Sequence, residues 1–184
     1  MLLLLKNKIH LIVLVLFLTL AAIGLYFNSQ KKPESSQVKS ATTQEVPELK
    51  DILSQDQTTR LKATRALAER VGVEEALEIV QKSGLPNTGE GHLAVHQIGF
   101  YAYQKYGKDA VLHCKDYFLS ACYHGAIIEA ASDEGIDVIK EMTDRCRAFA
   151  PRFFQCVHAA GHSINAIWNY DLPNALKTCD ELYK

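Results

Sequence analysis

Polar and apolar positions divide the chain into three stretches. From Ile9 to Phe27 the sequence IHLIVLVLFLTLAAIGLYF is apolar except at His10, Thr19 and Gly24. Residues 28–47, NSQKKPESSQVKSATTQEVP, hold almost nothing to bury. From residue 48 onward apolar residues return at helical spacing.

The first run of 19 residues would span about 28 Å as a helix, close to the thickness of a bilayer's hydrocarbon core. Two readings compete for it. A signal-anchor would keep residues 1–27 as a transmembrane helix. A cleaved signal peptide would use Ala22-Ile23-Gly24 as its small-residue site. The length of the run, and the Leu25-Tyr26-Phe27 that follows the site, favour the anchor. No cysteine follows closely enough for a lipoprotein anchor. Lys6 and Lys8 are balanced by Lys31 and Lys32, so the positive-inside rule does not decide orientation. Either reading exports the remainder, which is expected outside the cytoplasm, in a periplasmic or extracellular space. Residues 28–47 read as a flexible linker between membrane and domain.

The third stretch predicts helices throughout. Leu61, Leu67, Ala68 and Val71 share one face of a helix, with Thr58 or Thr59 as its N-cap and Gly72 as its stop. VEEALEIVQKSG follows as a second helix. Residues 84–91, GLPNTGEG, read as a loop. No strand alternation follows, so the domain over 48–184 is expected to be all-α.

Three segments then align from a histidine to a cysteine: His92 to Cys114, His124 to Cys146 and His158 to Cys179, at offsets of 22, 22 and 21. The end cysteines step by 32 and 33 residues, a period that fits a repeated helical hairpin. The expected repeats cover about 90–114, 122–146 and 156–179. The turns fall at KYGKD (105–109), SDEG (132–135) and NYDLP (169–173). The charged helices over 58–83 read as a cap on the first repeat.

The five cysteines of an exported domain read first as disulfides. Each repeat's last cysteine precedes the next repeat's leading cysteine by a short connector. This pairs Cys114 with Cys122 and Cys146 with Cys156. Cys179 is left over, as a free thiol, as half of an intermolecular bond, or as the mark of a chain cut from a longer repeat protein. Zinc-finger spacings and the C-x-x-C-H haem motif are absent, so no covalent haem is expected.

Among the histidines, His92/His96 and His158/His162 form two H-x₃-H pairs, and His124 stands at the equivalent place between them with Ile128 as its partner. Side chains four apart lie on one helix face, so each pair can offer two ring nitrogens to one ion. Seven residues beyond each leading histidine stand Gly99, Ala131 and Asn165. The first two would let helices approach closely. The five histidines are therefore candidate ligands for zinc, copper or iron, or proton carriers. Glu129 and Glu90 are the nearest candidate carboxylates. Glu129 lies roughly 140° round the helix from His124 and would need a partner on a neighbouring helix. No H-E-x-x-H signature is present. Gly161, inside AAGH, points to a close backbone contact or an opening to a ligand. The aromatics Phe100, Tyr101, Tyr103, Tyr106, Phe153, Phe154, Trp168 and Tyr170 read as packing groups.

Lysine and arginine number 20 against 21 acidic residues, for a net charge of −1, so there is no basic field for nucleic acid. No nucleotide site is expected. The expected contacts are the membrane, through residues 9–27, and a protein partner. C-Y-H-G (122–125), C-V-H-A-A-G-H (156–162) and D-L-P-x-A-L-x-x-C-D-x-L (171–182) resemble bacterial exported proteins with recurring C-x-H-G and G-H elements. The resemblance covers about residues 90–184. It implies export and the repeat, and it assigns no activity. Three functions remain open: a histidine-lined transition-metal site with or without catalysis, a non-enzymatic interaction module whose histidines pack, and a metal-free hydrolase using histidine with Glu129.

Overall fold

Helical spacing from residue 48 onward becomes helices, and among the described residues there is no strand. The computed structural model describes residue 46, residues 48–148 and residues 150–184. The expected transmembrane run and nearly all of the expected linker lie outside the described residues. No helix among the described residues is long and apolar enough to cross a membrane.

A short helix α1 (Leu49–Ile52) leads into α2 (Gln57–Val71). The N-cap of α2 is Asp56, whose carboxylate accepts the Thr59 amide hydrogen at 2.8 Å, rather than Thr58 or Thr59. A carboxylate one turn earlier satisfies the free amide and favours the positive helix end. Gly72, at φ 90°, ends α2 and opens α3 (Val73–Lys82). Such a backbone is open to glycine at little steric cost.

Next comes α4 (Gly89–Tyr106), which takes the last three residues of the expected 84–91 loop. Gly91 serves packing there. A Cβ on it would meet the Pro86 carbonyl oxygen, with the Phe118 ring at 3.0 Å. A 3-10 turn (Gly107–Asp109) and α5 (Ala110–His113) follow. Then come α6 (Ala121–Glu134), α7 (Val138–Arg147), α8 (Ala150–Ile167) and α9 (Leu172–Leu182).

The long helices set the architecture. α4 packs on α6, and α6 on α8. α2 covers α4, while α7 and α9 pack on α8. The core between them includes Leu67, Leu77, Ile98, Ile127, Ile139, Met142 and Ile164, all fully buried. Each such side chain contributes about 1.5–3 kcal/mol relative to exposure. Leu67 and Ala68 of the expected α2 face are buried, and Leu61 and Val71 pack on the core edge.

Two disulfides join Cys114 to Cys122 and Cys146 to Cys156, and Cys179 is a half-buried free thiol. Burial, with help from Asp180, pushes that thiol's pKa up, so it is a poor nucleophile. The expectation that the aromatics are packing groups fails at Phe154 and Tyr170, which are 72% and 74% exposed. Trp168 is partly exposed, its indole N–H donating to Thr178 Oγ1 at 2.8 Å.

Candidate metal centre

His92 and His96 lie one turn apart on α4, with ring centroids 4.6 Å apart. Across the α4–α6 interface stands His124, its ring 4.8 Å from that of His92 and 5.6 Å from that of His96. The approach is possible because Gly99 and Gly125 face it without side chains. A Cβ on Gly99 would meet the Cys122 carbonyl oxygen, and one on Gly125 the His96 carbonyl oxygen.

One nitrogen from each of His92, His96 and His124 lies within 4.8 Å of the other two. A tetrahedral ion with bonds of roughly 2.0–2.1 Å needs its donors about 3.4 Å apart. Small side-chain rotations therefore bring the three rings onto one ion.

Hydrogen bonds fix the tautomers. His92 Nδ1 lies 2.7 Å from the Phe118 carbonyl oxygen and must donate to it. His92 Nε2 is then an acceptor and takes a hydrogen from His124 Nδ1 at 2.9 Å. His124 Nε2 is left with a lone pair, buried and without a partner, and His96 Nε2 is also buried and unpartnered. Buried polar atoms are ordinarily satisfied, so two unpaired nitrogens in one cluster mark a place that can take a ligand. If the proton on His124 Nδ1 shifts to Nε2, Nδ1 and His92 Nε2 become two adjacent donors. The Phe118 carbonyl supplies the outer bond that holds His92 in a ligating tautomer.

The His96 and His124 rings are neutral near pH 7. Burial, reinforced by the neighbouring histidines, lowers the His124 pKa to about 3. Burial and then His92 lower that of His96 to about 4. Neutral imidazole is the ligating form.

Periodicity gave no means to find Phe118, whose carbonyl holds His92. Phe118, Leu119 and Ser120 have φ of 50°, 55° and 63°, three successive left-handed residues without a glycine or asparagine to announce them. Such residues are strained, and surrounding structure must hold them. Here the Cys114–Cys122 bond closes the loop, and Ser120 Oγ donates to Asp116 Oδ1 at 2.8 Å.

The other two candidate ligands adjoin the group. His158 and His162 on α8 have rings 4.7 Å apart, and these stand 5.4 and 5.1 Å from the His124 ring. Both are exposed, whereas His124 is buried. Gly161 between them has nothing within 4 Å of where a Cβ would sit, so it opens a face and makes no close contact.

Neither candidate carboxylate joins the cluster. Glu129 accepts from Gln104 Nε2 at 2.8 Å and lines an open cavity of about 590 Å³ with Tyr103, Ser132 and Asp133. Glu90 pairs at 2.7 Å with Arg60, which is buried. His113 stacks on Tyr106 and bonds Glu74 at 2.5 Å, away from the cluster.

No family model, curated protein or solved structure matches this chain. The functional reading therefore rests on the cluster's own geometry.

Proposed function

We propose that this chain is a membrane-tethered, extracytoplasmic domain of repeated helical hairpins that binds one transition-metal ion between α4 and α6. The observation that carries the reading is the convergence of His92, His96 and His124, whose donor nitrogens lie within 4.8 Å of one another. Two of these rings have buried Nε2 atoms with no partner. Three imidazole nitrogens without a carboxylate suit zinc, copper or iron, and leave a four-coordinate ion one position for a further ligand. Glu129 is committed to Gln104, so any chemistry at the ion would use that open position and not a carboxylate base beside the rings.

Export is supported by the two disulfides, which persist in oxidising compartments. The tether is supported by the apolar run of residues 9–27. The repeat is supported by the histidine-to-cysteine offsets and by the recurrence of a long helix followed by a shorter one at α6–α7 and α8–α9.

The test is elemental analysis of the full chain, purified in detergent from an oxidising compartment, beside His92→Gln/His96→Gln. The wild type should carry about one zinc, copper or iron per chain through its three-nitrogen site, and the variant should lose it with helicity unchanged. A metal-free wild type that also takes up neither zinc nor copper would sink the reading. The exposed Phe154, Tyr170, Leu172 and Leu176 favour the second reading, a protein-interaction module with packing histidines, in that event.

A further inference from the structure

We infer that His158 and His162 form a separate transfer station, which takes a zinc or copper(II) ion from outside and passes it through His124 to the His92/His96/His124 site. This rests on the metal-binding reading above.

Three observations carry it. The five rings form one continuous series, with His158 and His162 touching only His124 of the inner three: their centroids lie 5.4 and 5.1 Å from it. Exposure falls from the α8 pair, which is exposed, to His124, which is 4% exposed, while His92 and His96 beyond it are half-buried. The α8 pair is itself a bidentate unit, with one turn between its rings and the open face of Gly161 beside it. An ion reaching α8 first meets two imidazoles that solvent can also reach. Two nitrogens bind such an ion weakly, and solvent ligands complete its shell.

The step is ligand substitution and involves no redox change. The ion held by His158 and His162 gains a bond to His124 Nδ1, whose lone pair is freed as its proton passes to Nε2. It then loses the His158 and His162 bonds as His92 and His96 nitrogens close on it. The one proton concerned moves from His124 Nδ1 to Nε2. A bucket-brigade exchange of this kind avoids stripping the ion of all its ligands at once.

The experiment uses the full chain in detergent, stripped of metal, with zinc presented as its complex with a coloured pyridylazo chelator. Loading is followed by stopped flow and final stoichiometry by equilibrium titration. In His158→Ala/His162→Ala the stoichiometry should be unchanged, while loading, and removal by EDTA, slow by about tenfold or more. His158→Gln/His162→Gln, which keeps side-chain bulk and polarity, should behave the same way and covers the case in which the alanine variant misfolds. Loading at the wild-type rate in a folded variant would overturn the transfer station and leave the inner site standing. Loss of tight zinc binding in that variant would make the α8 pair part of the main site, which also overturns it. If the wild type takes no zinc or copper, the metal-binding reading fails and this inference fails with it.

Discussion

His124 concentrates the chemistry of the site in one residue. It is buried, its Nδ1 is committed to His92, and its Nε2 faces no partner. Its pKa is lowered to about 3 and that of His96 to about 4, each mainly by burial. In the unfolded chain both rings regain the ordinary value near 6.5. Below that pH the unfolded state binds protons that the folded state refuses, until the folded pKa values are reached. The metal-free protein should therefore lose stability as pH falls from about 6.5, by up to about 1.4 kcal/mol per pH unit for each ring, and be insensitive to these groups at higher pH. Denaturant midpoints between about pH 7.5 and about pH 5 test this, and His124→Gln should flatten the slope. An equally steep slope in that variant would place the titration elsewhere. At this scale the H-x₃-H spacing made four of the five clustered rings legible. The Phe118 carbonyl was not, because a left-handed run without glycine has no sequence signal.

The α4–α6 pair decides whether the rings can meet. The sequence stripe marked Gly99 as a point of close approach, and the structure gives the reason: its Cα faces the backbone of Cys122, Gly125 and Ala126. Gly125 was harder to read, since a glycine beside a histidine suggests a turn as readily as a contact. Gly99→Ala should destabilise the protein by about 1–3 kcal/mol and weaken metal binding, because backbone cannot yield as a flexible side chain does. Gly161→Ala on α8 is the paired control. It meets nothing within 4 Å, so it should be neutral or stabilising by up to about 1 kcal/mol. Thermal unfolding with zinc titration of both variants measures the contrast. Equal effects would mean that helix propensity, not the α4–α6 approach, governs these glycines. Helix existence was legible from spacing, whereas the starts of α2 and α4 shifted because Asp56 capped one and packing drew Gly89–Gly91 into the other.

Across the whole molecule, the disulfides do two jobs that a shared stabilising effect would hide. Each closes a short loop, 8 residues in sequence for Cys114–Cys122 and 10 for Cys146–Cys156. In the chain-entropy model each stabilises by about 2.5 kcal/mol. Their positions differ relative to the histidines. The first encloses Phe118, whose carbonyl orients His92, and ends two residues before His124. The second ends two residues before His158, at the α7–α8 junction. Cys114→Ser/Cys122→Ser should thus lose both stability and zinc affinity, since the left-handed loop is no longer held and His92 loses its tautomer. Cys146→Ser/Cys156→Ser should lose similar stability and keep its affinity, with loading slowed because the α8 pair is less well placed. Chemical denaturation with equilibrium and stopped-flow zinc binding on the two variants separates these outcomes. If both lost affinity equally, the bridges would be general staples, and the carbonyl of Phe118 would have no particular hold on the site. If neither did, the three rings would be positioned by the glycine-faced packing of α4 on α6 alone.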